Sequence, residues 1–147
     1  MLRSLVVGTT KGDSMSLTVE ELAMAYHQAW VDLDPDTIAA LHSEDSIFHM
    51  HGGAEPATGR SAIRDLITAF LRLVPDLKFE PKRLYVGADH IALEYDMSGT
   101  YAGSHFVCDG ADVIAVAGGL VSRKDTYLDY VNLIGQVGAM PETITAV

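Results

Sequence analysis

Apart from one alternating segment at residues 46–51, the hydrophobic periodicity of the chain changes once, near Pro75, and this change limits the folds that the sequence can adopt. Before Pro75, apolar residues recur every three or four positions, as on a helix that packs one face against a core. From Leu77 onward, apolar and polar residues alternate, as in strands that bury one face. The sequence therefore predicts an α+β domain in which most helices come first and most strands last.

Three helices are predicted in the first half of the chain. The first should begin after Thr18, which fits a capping box with Glu21, and should end near Asp32. Asp34-Pro35 supplies an N-cap and a first-turn proline for a second helix over residues 36 to about 42. A third helix must stop before Pro75, and its apolar side consists of Ile63, Leu66, Ile67, Phe70 and Val74.

Five strands are predicted to form one sheet. The first covers residues 46–51 and ends at Gly52-Gly53. Tight turns such as Gly118-Gly119 join the later strands, so the sheet should be mostly antiparallel. Three helices on one face of a bent sheet leave an open end, which is a natural ligand cavity. The later strands are expected at about residues 77–86, 91–99, 105–116 and 120–130.

Length, charge and cysteine content limit the possible partners. The 147 residues suit one domain, predicted at residues 15–140, between a flexible N-terminal extension (1–14) and a C-terminal tail (141–147). The net charge of −10 argues against a nucleic-acid partner, because such partners need clustered cations. No apolar run near the N-terminus is long enough for export or a membrane span. The single cysteine, Cys108, is expected to be a small buried group, and a cytoplasmic location fits best.

Four short segments carry a resemblance to a known family, namely Trp30-Val31-Asp32-Leu33-Asp34, Thr58-Gly59-Arg60, Pro75-Asp76-Leu77 and Lys124-Asp125-Thr126-Tyr127-Leu128-Asp129. In their order along the chain, they are similar to segments of SnoaL-like members of the nuclear transport factor 2 superfamily. The resemblance covers about residues 17–138 and implies a cone-shaped barrel of strongly bent sheet around one pocket, with a homodimer formed through the outer sheet face. The superfamily includes polyketide cyclases, ketosteroid isomerases, limonene epoxide hydrolases and members without known chemistry, so the fold does not determine the function.

Two histidines on the first predicted strand are candidate catalytic residues. His49 and His51 lie two positions apart and so share one face of the strand. The resemblance to the epoxide hydrolases places them where that family holds its attacking water, which implies that both face the pocket. Neutral imidazole is a suitable general base near pH 7. The alternatives are two half-buried structural histidines, or a metal-binding pair that lacks a third ligand; no metal is predicted.

Acidic residues on the later strands form a second group of candidates. Asp96 matches an acid/base aspartate of the epoxide hydrolases, but Glu94 replaces the arginine that accompanies it there. Two carboxylates on one face need a cation, and Lys124 is the available one. By the same resemblance, Thr126 falls where those hydrolases have a second catalytic aspartate. Whether the face with Lys124, Thr126 and Leu128 or the face with Asp125 and Tyr127 lines the pocket stays open.

A comparison with ketosteroid isomerases indicates further candidates. Tyr26 and Asp112 fall at the positions of the tyrosine and the protonated aspartic acid that form the oxyanion site of that family. The catalytic base of that family maps to residues 49–51, where a histidine would replace the carboxylate. Trp30 is expected to be a pocket wall. The alternatives are core packing for Tyr26 and a solvated strand position for Asp112.

These observations predict a cofactor-independent acid/base enzyme that acts on a hydrophobic, carbonyl-bearing small molecule such as a steroid, polyketide or terpenoid. His49 or His51 would move the proton, while Asp96, Asp112 and Tyr26 would orient groups or stabilise charge. Epoxide-hydrolase-like water activation and a non-catalytic, dimeric ligand-binding module remain alternatives. The predicted binding residues are Trp30, Glu94, Lys124, Thr126 and Leu128.

Overall fold

Six strands form one open sheet against which the helices pack. The structure is a computed structural model and describes residues 9–10, 13–14 and 16–138. Two further short strands, β1 (Thr9–Thr10) and β2 (Asp13–Ser14), pair only with each other. The helices are α1 (Val19–Val31), α2 (Pro35–Ala40), α3 (Arg60–Leu73) and α4 (Tyr130–Val137). The strands of the sheet are β3 (His42–Met50), β4 (Ala57–Thr58), β5 (Lys78–Val86), β6 (His90–Tyr101), β7 (Ser104–Ala117) and β8 (Leu120–Leu128).

Local capping signals set the starts of the first two helices. The Thr18 hydroxyl accepts from the Glu21 amide at 3.1 Å, and the Glu21 carboxylate accepts from the Thr18 amide at 3.0 Å, which confirms the predicted capping box. The Asp34 side chain accepts from two amides of the first turn of α2. Helix α2 is shorter than predicted, because His42 is already the first residue of β3 and pairs with Val121 of β8.

The sheet is mostly antiparallel, as predicted, with one parallel pair. Its strand order is β4-β3-β8-β7-β6-β5, and β3 runs parallel to β8 while every other neighbouring pair is antiparallel. Among the described residues, β4 and β5 remain edges, so the predicted α+β cone is open and does not close into a full barrel. The concave inner face packs against the helices and contains the main core.

The C-terminal end of the fold differs from the sequence prediction. Strand β8 ends at Leu128, and the Asp129 carboxylate accepts from the Asn132 amide at 3.1 Å to cap α4. This helix packs on β7, where the Gln136 side chain both accepts from the Val107 amide and donates to the Val107 carbonyl at 2.8 Å. The described part of the chain thus has four helices rather than three.

Two further predictions concern the chain ends and Cys108. Apart from β1 and β2, residues 1–15 and the predicted tail at 141–147 lie outside the described residues. Cys108 is buried on β7, as expected, and burial raises the pKa of its thiol to about 11. None of the helices in the described residues combines the length and the hydropathy needed to cross a membrane.

Candidate functional site

A cavity of about 160 Å³ lies between α1 and the inner face of the sheet. Its wall is mainly apolar, and its polar groups are few and close together, as is usual for small-molecule sites. A smaller cavity of about 20 Å³ adjoins it across Trp30 and Lys124, which border both spaces. The apolar wall of the larger cavity includes Trp30, Phe79, Ile91, Leu93 and Ile114.

A buried ion pair borders the larger cavity. The Lys124 ammonium lies 3.3 Å from Oδ2 of Asp112, and the two side chains are only 5% and 6% exposed. Oδ1 of Asp112 accepts hydrogen bonds from the Tyr95 hydroxyl at 2.9 Å and the Thr126 hydroxyl at 2.7 Å. Burial opposes a charge on Lys124, but Asp112 and Tyr26 outweigh it, so the pKa of Lys124 is raised above its ordinary value. Lys124 therefore keeps its positive charge inside an apolar wall.

Three aromatic rings surround the Lys124 ammonium. Its nitrogen lies 4.5 Å from the ring centre of Trp30, 4.7 Å from that of Phe48 and 4.9 Å from that of Tyr26, which are distances of cation–π contacts. Among the described residues, the buried indole N–H of Trp30 has no hydrogen-bond partner. A buried donor without a partner is unusual, and Trp30 borders both cavities.

A chain of buried hydrogen bonds leads away from the cavity through Tyr26. The Tyr26 oxygen lies 2.9 Å from Nε2 of His42, and Nδ1 of His42 lies 2.8 Å from the Ser46 hydroxyl. Burial, together with the positive charges of Lys124 and Arg60, lowers the pKa of His42 to about 3. Burial also raises the pKa of Tyr26. At neutral pH the histidine is therefore neutral and the phenol keeps its proton.

His49 and His51 do not line the cavity, so their predicted inward orientation is wrong. Alternation along β3 places Ser46, Phe48 and Met50 in the core, and the two imidazoles on the outer face. Both faces of this strand carry apolar residues, so the periodicity alone did not identify the inner one.

Asp96 and Glu94 also lie on the outer face, because the neighbouring Tyr95 and Met97 occupy the core. The cations beside the two acids are Lys82, 3.0 Å from Asp96, and Arg83, which is hydrogen-bonded to Glu94. The sequence analysis assigned Lys124 to this role, and that assignment is wrong, because Lys124 points to the opposite side of the sheet and pairs with Asp112.

The structure brings the other predicted site residues together. Tyr26, Trp30, Asp112 and Lys124 line the larger cavity, while Thr126 and Leu128 line the smaller one, so this face of β8 is the inner face. Sequence reasoning missed three polar residues, of which Tyr95 and His27 border the larger cavity and His42 lies behind Tyr26. His42 was assigned to α2, and no alternation marks it, because Ser43, Glu44 and Asp45 are all polar and the β3–β8 register shifts before Ile47.

Comparison with solved structures shows the same fold in several bacterial proteins. A protein from Catenulispora acidiphila DSM 44928 with a ketosteroid isomerase-like fold, solved in complex with trimethylamine, is 20% identical with a TM-score of 0.75, covering 84% of this chain and 96% of that one. A SnoaL-like polyketide cyclase from Shewanella putrefaciens CN-32 shares 17% sequence identity with this chain and has a TM-score of 0.72. The match covers 81% of this chain and 95% of that one. An NTF2-like protein from Burkholderia thailandensis E264 shares 19% sequence identity with this chain and has a TM-score of 0.75. The match covers 84% of this chain and 98% of that one.

Comparison of the sequence with curated proteins finds no match. The family model of the SnoaL-like domain, in contrast, matches residues 23–124, which is more than half of the chain and contains Tyr26, Trp30, Asp112 and Lys124. The chain therefore belongs to the SnoaL-like domain family.

Proposed function

We propose that this protein is a cofactor-independent acid/base enzyme that isomerises or cyclises a hydrophobic small molecule carrying a carbonyl oxygen. The observation that supports the proposal most is the buried Asp112–Lys124 pair in the wall of an otherwise apolar cavity. A carboxylate and an ammonium held together away from water supply both a proton acceptor and a positive charge for a developing oxyanion.

The donors around the cavity favour a ligand oxygen. The Lys124 ammonium, the Tyr26 hydroxyl and the unpartnered indole N–H of Trp30 are all hydrogen-bond donors. The aromatic rings that would attract a cationic ligand already surround Lys124. An amine such as the trimethylamine of the Catenulispora protein would meet that positive charge, whereas a carbonyl or enolate oxygen would be attracted by it.

The proposed reaction begins with proton transfer from carbon. The Asp112 carboxylate removes a proton from the carbon beside the carbonyl, and the electron pair of the broken C–H bond moves onto the carbonyl oxygen. Lys124 and Tyr26 stabilise the resulting enolate. Return of the proton from Asp112 to another carbon isomerises the substrate. Alternatively, the enolate carbon attacks a second carbonyl and closes a ring, the π electron pair of that carbonyl moves onto its oxygen, and this oxygen takes up the proton from Asp112. Tyr95 and Thr126 hold the carboxylate in place throughout.

His42 would act on this reaction through Tyr26 as a positioning residue. With its proton on Nε2, neutral His42 donates to the Tyr26 oxygen and accepts from the Ser46 hydroxyl at Nδ1. The Tyr26 phenol then has its own proton free to donate to the substrate oxygen.

Turnover assays with matched carboxylate variants test the proposal. A panel of a β,γ-unsaturated ketosteroid, a poly-β-ketone and a terpenoid epoxide would be incubated with the wild type, Asp112→Asn and Asp109→Asn. Asp112→Asn should lose about a hundredfold in rate on a ketone substrate, the scale of a lost general base. Asp109 is an exposed carboxylate of the same strand bound to Lys82, so its variant should keep the wild-type rate.

Three outcomes would contradict the proposal. An Asp112→Asn variant with the wild-type rate would remove Asp112 from the mechanism. Epoxide opening that is lost only in Asp96→Asn would favour water activation, although His49, His51 and Asp96 all lie outside the cavity. A ligand that binds but is recovered unaltered after long incubation would identify a binding module instead.

We also propose that a second copy of the chain covers the outer face of the sheet. Val107, Val113 and Tyr127 lie on this face with 46%, 52% and 48% of their surface exposed. Light scattering should therefore give about twice the chain mass of 15.8 kDa. Val113→Glu should shift the mass to that of the single chain, whereas Val31→Glu, at an exposed apolar position on α1, should leave the dimer intact. A wild-type mass of one chain would refute the dimer.

A further inference from the structure

Two histidines and one aspartate meet on the outer face of the sheet, on the side away from the cavity. β3 and β8 run parallel with His49 opposite Asp125, and His51 follows two residues later. One ring nitrogen of each histidine and one carboxylate oxygen of Asp125 all lie within 4.8 Å of one another. All three side chains are half-buried, and adjacent strands hold them in place. Asp125 lies opposite Val113, so a bound ion would lie at the face that a second copy is proposed to cover.

We propose that His49, His51 and Asp125 bind a divalent transition-metal ion of the zinc class. Ions of this class bind well to imidazole nitrogen combined with carboxylate oxygen. The harder ions Mg²⁺ and Ca²⁺ instead prefer ligands that are all oxygen. Three protein ligands leave a further position for water or an outside ligand. Sequence reasoning found only the histidine pair, because the third ligand comes from the distant strand β8.

The surroundings of the histidines suit ligation. Nε2 of His49 lies 3.1 Å from the Ala54 carbonyl, so this nitrogen donates to the carbonyl and Nδ1 is the atom that would bind the ion. A carbonyl that accepts from the second ring nitrogen is the usual partner of a metal-binding histidine. His51 already lies 2.8 Å from Asp125 through Nε2, so these two ligands are close without any change of the backbone.

Arg123 competes with the ion for Asp125. Its guanidinium donates to both carboxylate oxygens, at 2.8 and 2.9 Å, and neutralises the negative charge that an ion would need. Because the Arg123 side chain is 44% exposed, it can turn into water when an ion binds. Removal of Arg123 should therefore strengthen binding, a result that is not expected if the ion binds only the histidine pair.

Calorimetric titration of Zn²⁺ into the full, untagged chain tests the site. The wild type should bind one ion per chain. His49→Ala, His51→Ala and Asp125→Asn should each weaken binding at least about tenfold, whereas Arg123→Gln should tighten it. His90→Ala is the matched control, because His90 is an exposed histidine bound to a single aspartate, Asp89, and its loss should change nothing.

Two results would overturn the proposal. Zn²⁺ affinity that is unchanged in Asp125→Asn would show simple chelation by neighbouring histidines. Absence of saturable binding in Arg123→Gln would show that no site exists. Thermal unfolding gives an independent readout, since an ion that binds only the folded state raises Tm in the wild type and less in Asp125→Asn. None of these measurements depends on turnover, so their failure is distinct from failure of the proposed reaction.

Discussion

Lys124→Met should lower the free energy of unfolding by about 3–5 kcal/mol, because it leaves the Asp112 carboxylate buried without its cation. Methionine has a similar length and can still pack against Trp30 and Phe48, so the loss would report on charge rather than on volume. Urea unfolding followed by circular dichroism measures the change.

Two further variants separate this explanation from simple loss of packing. Lys124→Met combined with Asp112→Asn should recover most of the stability, because asparagine carries no charge and its oxygen still accepts from Tyr95 and Thr126. Lys82→Met removes a half-exposed lysine that pairs with Asp96 and Asp109, and should lower the free energy of unfolding far less, because water screens exposed ion pairs. Equal losses in Lys82→Met and Lys124→Met would show that burial of the pair does not matter.

Acidification from pH 7 to pH 4.5 should cost the wild type about 2–3 kcal/mol of stability through His42 alone. Its pKa is about 3 in the folded protein, below the ordinary histidine value of 6.5. The unfolded chain therefore takes up this proton first. The contribution of neutral His42 to the free energy of unfolding is complete above pH 6.5 and is lost progressively as the pH falls toward 3.

His42→Gln isolates this effect, because glutamine retains polar contacts with Tyr26 and Ser46 but does not titrate. Its unfolding free energy should fall less steeply than that of the wild type between pH 6.5 and 4.5. Carboxylates with lowered pKa values, such as Asp34, Asp76 and Asp125, also contribute to the free energy of unfolding. They lose this contribution below the ordinary carboxylate pKa of 3.8, which lies outside the range from pH 6.5 to 4.5. Identical slopes in the two proteins would contradict the buried, neutral state of His42.

Elements with local signals were predictable from the sequence. The capping box at Thr18 and the Asp34-Pro35 pair mark the starts of α1 and α2, because their hydrogen bonds join residues only two or three positions apart. The end of β8 was missed although Asp129 precedes Tyr130, Leu133 and Val137 at helical spacing, because the strand alternation also continues through Tyr130.

The resemblance to ketosteroid isomerases predicted positions in the site, whereas the resemblance to epoxide hydrolases misplaced His49, His51 and Asp96. Tyr26 and Asp112 were placed by comparison with ketosteroid isomerases, and both border the cavity. For His49 and His51, alternation established that they share a face, but the resemblance to the epoxide hydrolases placed them in the pocket, which is wrong, because the inner face is set by pairing with β8. His42 lies at a register shift within that same pairing, which no short-range pattern reveals.

The parallel pairing of β3 with β8 also imposes an order of events while the chain is being synthesised. His51 and Asp125, which meet across this pair, are separated by 74 positions. The first three helices and most of the sheet therefore leave the ribosome before β3 has its long partner, and Asp112 emerges before the lysine that neutralises it. Such distant pairings slow folding and expose unpaired strand edges, so ribosome-bound chains that stop before β8 should need chaperones most.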